Sequence, residues 1–140
     1  MATSTTGLCA NFLQANYAAA KAGLVGLVHA LAIEGARSGI EVNAMAPMAA
    51  TRMTADVASA EVLGKPPPAQ VAPVIGYLMT EECAESGTVL VAGGGHVHMV
   101  QLFMSKGVQF GGIPAVADVA ARWLEITDMD GSVPGINPVG

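Results

Sequence analysis

Apolar residues recur at spacings of three and four between residues 14 and 37 (Tyr17, Ala20, Leu24, Leu27, Val28 and Leu31) and predict one long helix. The segment is rich in alanine and free of proline, and Ser38-Gly39 supplies its stop, with glycine suited to a left-handed cap. It is apolar around most of its circumference, which predicts burial on more than one side. Gly23 and Gly26 each cost about 1 kcal/mol relative to alanine in a helix, a cost that fits close approach of another backbone. Ile40 to Ala46 is short, β-branched and stopped by Pro47, and reads as a strand. Residues 50–60 give a weak helical pattern, and 64–68 a turn-rich linker. Gln70 to Met79 is helical, with Val71, Val74, Ile75 and Leu78 on one face and Pro73 confined to the first turn. Thr88 to Ala92 is uniformly apolar, as in a parallel strand covered on both faces, and runs into Gly93-Gly94-Gly95. Residues 96–110 fit strand or loop. Residues 114–127 read as a helix with Pro114 in its first turn and Val116, Val119, Ala120, Trp123 and Leu124 on one stripe. The Gly- and Pro-rich stretch 131–140 reads as a mobile tail after a single domain at 1–130. The alternation of helix and strand is α/β in character.

Composition narrows the function. Of 140 residues, 52% are hydrophobic and 12% charged, which excludes intrinsic disorder. The formal charge is 6 − 11 = −5, without a basic stripe, so neither nucleic acid nor an anionic membrane surface is an expected partner. The most apolar stretch, Ala22 to Ile33, is 12 residues long, short of the about 20 that span a bilayer, and reads as a buried core helix. No secretory signal pattern opens the chain. Cys9 and Cys83 are far apart and read as free thiols of a reducing compartment, hence a cytoplasmic expectation. His96 and His98 lack further ligands at compatible spacing, so no metal site is expected, and His29 reads as a core or interface histidine.

Tyr17 and Lys21 stand four apart on the long helix and therefore share a face. A phenol, with an unperturbed pKa of about 10, is a poor base at neutral pH, and a neighbouring ammonium favours its ionised form. Tyr17 could then exchange a proton with a substrate oxygen. The spacing alone is weak evidence, because most such pairs are surface pairs.

The surrounding residues are more specific. Ser4-Thr5-Thr6-Gly7 precedes Tyr17 by thirteen residues, counted from the serine. Together with Asn11 to Lys21, Leu31-Ala32-Ile33-Glu34-Gly35, Asn43 to Thr54 and Val71-Ala72-Pro73, it resembles the active-site half of short-chain dehydrogenases/reductases. The subgroup it looks most like is the (3R)-hydroxyacyl-CoA dehydrogenase domain of peroxisomal multifunctional enzymes. The resemblance covers most of the chain, loosely as far as Asp128. It implies a partial Rossmann fold, a doubly wound parallel sheet of which only the C-terminal half is present, with a C-terminal helical extension. It implies Tyr17 as general acid/base, Lys21 as its charge partner and ribose contact, and Ser4 as the group that binds the substrate oxygen. Pro47, Met48, Ala49 and Thr51 would border the nicotinamide of NAD or NADP. The wider family usually has Pro-Gly here and a threonine five residues after the proline. This chain has Met48 and Arg52 instead, which fits the subgroup and leaves the role of Thr51 open. The implied substrate is a secondary alcohol such as a 3-hydroxyacyl-CoA. The helix at 14–37 would contribute to a homo-oligomer interface, and a peroxisomal location is a second possibility beside the cytoplasm.

The phosphate-binding half of such an enzyme is not legible. Gly93-Gly94-Gly95-His96-Val97-His98 fails the GxGxxG spacing at His98, and no strand–turn–helix unit follows it. Two confident strands fall far short of a six-strand sheet. The expectation is a truncated chain or one part of a split enzyme, poorly stable alone or oligomeric, with a non-catalytic interaction module as the alternative reading.

Overall fold

The computed structural model describes residues 1–49 and 67–135, and Thr51, the weak helix at 50–60 and the linker at 64–66 lie outside the described residues. The chain forms two compact units, Met1–Val100 and Gln101–Gly140.

In the first unit, α1 (Thr5–Cys9) leads to the long helix α2 (Ala15–Gly35), followed by a short 3-10 turn at Ala36–Ser38. Gly39 closes the helix in the left-handed conformation (φ 65°), the role its position predicts. Strand β1 (Ala44–Pro47) pairs in parallel with β2 (Val89–Gly93), with Ala44 opposite Val89 and Pro47 opposite Ala92. Residues 40–43 stay outside the regular strand. The helix expected at 70–79 is a 3-10 turn at Pro68–Gln70 and the shorter α3 (Ala72–Tyr77), with Pro73 in its first turn.

The sheet takes a direction the sequence leaves undecided. Gly94 (φ 64°) and Gly95 (φ 76°) make the two-residue turn of a hairpin, and β3 (His96–Val100) returns antiparallel to β2. Two consecutive positive φ values are what a tight hairpin turn requires. The glycine cluster is thus a turn, and the described sheet is mixed, in the order β1-β2-β3. On the other side of β1, Met1–Thr3 run alongside it: Ala2 bridges Met45 in parallel, Met45 N–H donates to the Met1 carbonyl at 2.8 Å, and Thr3 N–H donates to the Met45 carbonyl at 2.8 Å.

Period-two alternation sends neighbouring strand residues to opposite faces. Ala44 and Val89 pack with Val28 of α2 on one face, joined by Leu8 and Val25. Met45 and Ala92 pack with Val71 on the other, joined by Val74 and Leu78. Helices therefore cover both faces, which explains the uninterrupted apolar run of β2.

Three expectations about α2 require correction. Val28 is its one buried residue, and Leu27 and Ile33 are exposed, since among the described residues α2 packs chiefly on α1 and on β1. Counted as a whole, Ala15–Ser38 is long and apolar enough to cross a membrane by length and composition, so the 12-residue count does not exclude that. Close backbone approach also falls elsewhere: among the described residues a Cβ on Gly23 or Gly26 would meet nothing within 4 Å outside its own helix, whereas one on Gly35 would lie 2.7 Å from the Ile40 carbonyl oxygen.

The second unit contains β4 (Phe103–Met104) paired antiparallel with β5 (Val133–Pro134), so part of the stretch read as a tail enters a sheet. The expected helix at 114–127 is two pieces, α4 (Val116–Ala121) and α5 (Trp123–Ile126), broken at Arg122 (φ −109°, ψ 15°). Pro114 precedes the helix rather than entering its first turn. The start is closed by Asp118, whose carboxylate accepts from Ala115 N–H at 2.8 Å; Ala115 has no side-chain acceptor to reciprocate. Arg122 pairs with Glu125 at 2.7 Å and lies over the Phe110 ring, 5.6 Å from its centroid.

Candidate active site

Ser4 follows the Met1–Thr3 segment and caps α1, its Oγ accepting from Thr6 N–H at 3.2 Å. The cap leaves the hydroxyl hydrogen of Ser4 free to donate elsewhere. The link from α1 to Tyr17 is fixed by polar contacts: Thr6 Oγ1 donates to Gln14 Oε1 at 3.0 Å, and Asn11 Nδ2 donates to the same oxygen at 3.3 Å. Ala10 and Leu13 both adopt positive φ in this link, 63° and 58°. Such conformations are costly for residues with a side chain and hold a sharp reversal before α2 begins.

Tyr17 lies in the first turn of α2 and is 44% exposed. Lys21 sits one turn further, its Nζ 5.7 Å from the Tyr17 ring centroid and donating to the Ala2 carbonyl at 2.9 Å. Gly7 brings α1 onto this turn: a Cβ there would lie 2.7 Å from both the carbonyl carbon and the Cβ of Lys21. Thr3, the one buried polar residue among those described, donates its hydroxyl to the Lys21 carbonyl at 2.7 Å. Lys21 is thereby held against Ala2, Thr3 and Gly7, the residues that flank Ser4 in sequence, with Tyr17 one turn away on α2. Sequence reasoning missed Thr3, whose only signal was its place beside Ser4.

Met1–Thr3, β1 and β2 are parallel, so Ser4 and Met48 both follow carboxyl ends of strands on the same edge of the sheet. Val28 of α2 packs at the start of the strands against Ala44 and Val89, while Lys21 touches Ala2 and Thr3. The helix thus runs antiparallel to the strands, away from that edge, and its N-terminal turn carries Tyr17 on the side of that edge. Ligands of open α/β sheets bind in this position.

The loop residues divide. Pro47 is exposed, and Met48 N–H donates to the Ala92 carbonyl at 2.7 Å, prolonging the ladder by one residue. Gly93 presses on the Met48 carbonyl so closely that a Cβ there has no room. Ala49 packs on the cluster of Met45, Val71 and Ala92, so its side chain serves the core. A cavity of about 360 Å³ opens beside β1, lined by Met1, Asn43, Met45, Pro47, Ile75 and Leu78 among others. It includes Pro47 and none of Ser4, Tyr17 or Lys21, and lies on the α3 side of the sheet. The Lys21 ammonium gives one of its three donors to the Ala2 carbonyl, which leaves donors that could meet a ribose hydroxyl of a dinucleotide. No glycine-rich strand-to-helix turn that would hold its phosphates occurs among the described residues.

A family model described as short chain dehydrogenase matches residues 1–62. A short-chain type dehydrogenase/reductase of Mycobacterium tuberculosis is 58% identical over 132 residues, covering 94% of this chain and 46% of that protein. Peroxisomal multifunctional enzyme type 2 of Drosophila melanogaster is 35% identical over 135 residues, covering 92% of this chain and 22% of the enzyme. The solved structure of that full-length fly enzyme superposes with a TM-score of 0.82 at 28% identity, over 99% of this chain and 26% of its own. A short-chain dehydrogenase from Mycobacterium avium matches with a TM-score of 0.70 at 31% identity, over 89% of this chain and 43% of its own. The chain belongs to the short-chain dehydrogenase/reductase family, and its α/β fold is part of that family's Rossmann fold. It spans less than half the length of these relatives. 4-Hydroxyisoleucine dehydrogenase solved with NADH and succinate superposes on 67% of the chain with a TM-score of 0.52 at 27% identity.

Proposed function

We propose that this chain carries the acid/base centre of a nicotinamide-dependent dehydrogenase that interconverts a secondary alcohol and a ketone, with a 3-hydroxyacyl-CoA as substrate class. The observation that supports this best is the Lys21 ammonium, 5.7 Å from the Tyr17 ring centroid and held to the Ala2 carbonyl, two residues before Ser4. Ser4 directs its free hydroxyl hydrogen to the substrate oxygen. Tyr17 takes the alcohol proton in oxidation and returns it in reduction. Lys21, one turn away, offsets the negative charge that builds on the phenol oxygen as the proton is shared. A bound nicotinamide, NAD or NADP, would exchange hydride with the carbinol carbon. Pro47 and the Met48 backbone would border that ring and Lys21 the ribose; Ala49 faces the core, and Thr51 lies outside the described residues. The free thiols Cys9 and Cys83 suit a reducing compartment, and the cytoplasm is the proposed location.

Titration with NADH, followed by turnover of a 3-hydroxyacyl-CoA, tests the reading. Saturable binding and turnover that Tyr17→Phe abolishes are the expected results. Absence of NADH and NADPH binding by this chain would leave the second reading, an interaction module. The exposed apolar side chains of α2, Leu27 and Ile33, favour that alternative, and homo-oligomerisation through α2 belongs to both readings.

A further inference from the structure

Two hydrogen bonds link the same two stretches of chain in opposite senses. The buried Thr3 hydroxyl donates to the Lys21 backbone carbonyl at 2.7 Å. The Lys21 ammonium donates back to the Ala2 carbonyl, the oxygen of the peptide that Thr3 itself completes, at 2.9 Å. That peptide is held to the sheet, since Thr3 N–H bonds the Met45 carbonyl at 2.8 Å. A helix carbonyl in mid-segment already has its intrahelical partner, so the hydroxyl adds a second donor to it. A buried hydroxyl without an acceptor would be costly, which makes the contact specific.

From this clasp we infer that Thr3 is a positioning residue for Lys21: it fixes the turn of α2 that carries the lysine and presents the Ala2 carbonyl as the seat of the ammonium. The inference deepens the catalytic reading of Tyr17 and Lys21 and rests on it for its meaning in turnover. The clasp itself is independent of turnover.

The experiment measures the rate at which an amine-acylating reagent modifies Lys21 in the folded chain, relative to Lys106 in the second unit, by peptide mass spectrometry. Thr3→Val keeps the shape and removes the hydroxyl, Thr3→Ala removes it without adding a methyl, and Thr3→Ser keeps it. The Lys21/Lys106 ratio is expected to rise about five- to tenfold in the Val and Ala chains, the size of one lost hydrogen bond, and to stay at the wild-type value in the Ser chain. An unchanged ratio in whichever of the Val and Ala chains folds overturns the inference. So does a rise in the Ser chain as large as in the others, which would assign the effect to packing. In turnover, the Val chain is expected to lose a similar factor in kcat with the KM of the acyl substrate unchanged, and the Ser chain to recover it. A wild-type chain without turnover would count against the proposed function, while the acylation ratio would still decide the clasp.

Discussion

Gly7 stands with its α-carbon against the main chain of Lys21, where a side chain of any size would meet the helix at 2.7 Å. The obstructing atoms are a backbone carbon and a Cβ, neither of which can swing away. Gly7→Ala is therefore expected to cost about 1–3 kcal/mol, the range for overpacking a close contact. Urea denaturation followed by circular dichroism measures it, and a neutral result would show that α1 can slide along α2 without penalty.

Gly23 and Gly26 give the opposite expectation, because among the described residues no atom outside the helix's own backbone lies within 4 Å of a Cβ at either. Replacing each with alanine should stabilise the chain by about 0.5–1 kcal/mol through helix propensity. If another copy covers this stripe in solution, the same substitutions should weaken association. Sedimentation at several concentrations separates the two effects.

Large apolar side chains stand in solvent in both units, among them Ile33 and Met79 in the first and Ile113, Val116 and Leu124 in the second. Isolated exposed hydrophobics are ordinary, but this density favours association. The chain at micromolar concentration is expected to scatter light as an oligomer or aggregate. A monodisperse monomer with a cooperative thermal transition would refute this.

The Arg122–Glu125 pair lies at the surface, and a side-chain hydrogen bond from Arg122 holds the Glu125 carboxyl below the ordinary carboxylate range. A depressed folded value means that the pair contributes above the unfolded carboxylate range and that this contribution is lost as pH falls through the folded one. Carbon-detected NMR should find Glu125 titrating lower than an ordinary glutamate. In Arg122→Ala it should return upward. The effect on stability is expected to be small because both groups are solvated.

How much was legible depended on whether a residue's partners lay nearby in sequence. The long helix, its Gly39 stop and the parallel strands follow from local periodicity, and the Tyr17–Lys21 face follows from helical spacing. Thr3 escaped notice because its acceptor lies 18 residues away and is a carbonyl, which leaves no side-chain signature. The hairpin at Gly94-Gly95 was visible as glycine but not as a reversal, because Val97 and Met99 make β3 resemble any apolar run. Close approach was assigned to Gly23 and Gly26 on propensity grounds, yet only three-dimensional packing reveals that Gly7 and Gly35 bear it. The break at Arg122 interrupts an unbroken helical pattern, and its contacts there, with Glu125 and over the Phe110 ring, are ones that periodicity does not report.

The antiparallel return of β3 gives the sheet of the first unit two unlike flanks. Its parallel pairing is closed on the β2 side by a strand of opposite direction, while β1 receives the short parallel segment Met1–Thr3 on the other. Inverting the Gly94-Gly95 turn would therefore disturb β3 alone and leave the parallel strands that lead to Ser4 and Met48 in register.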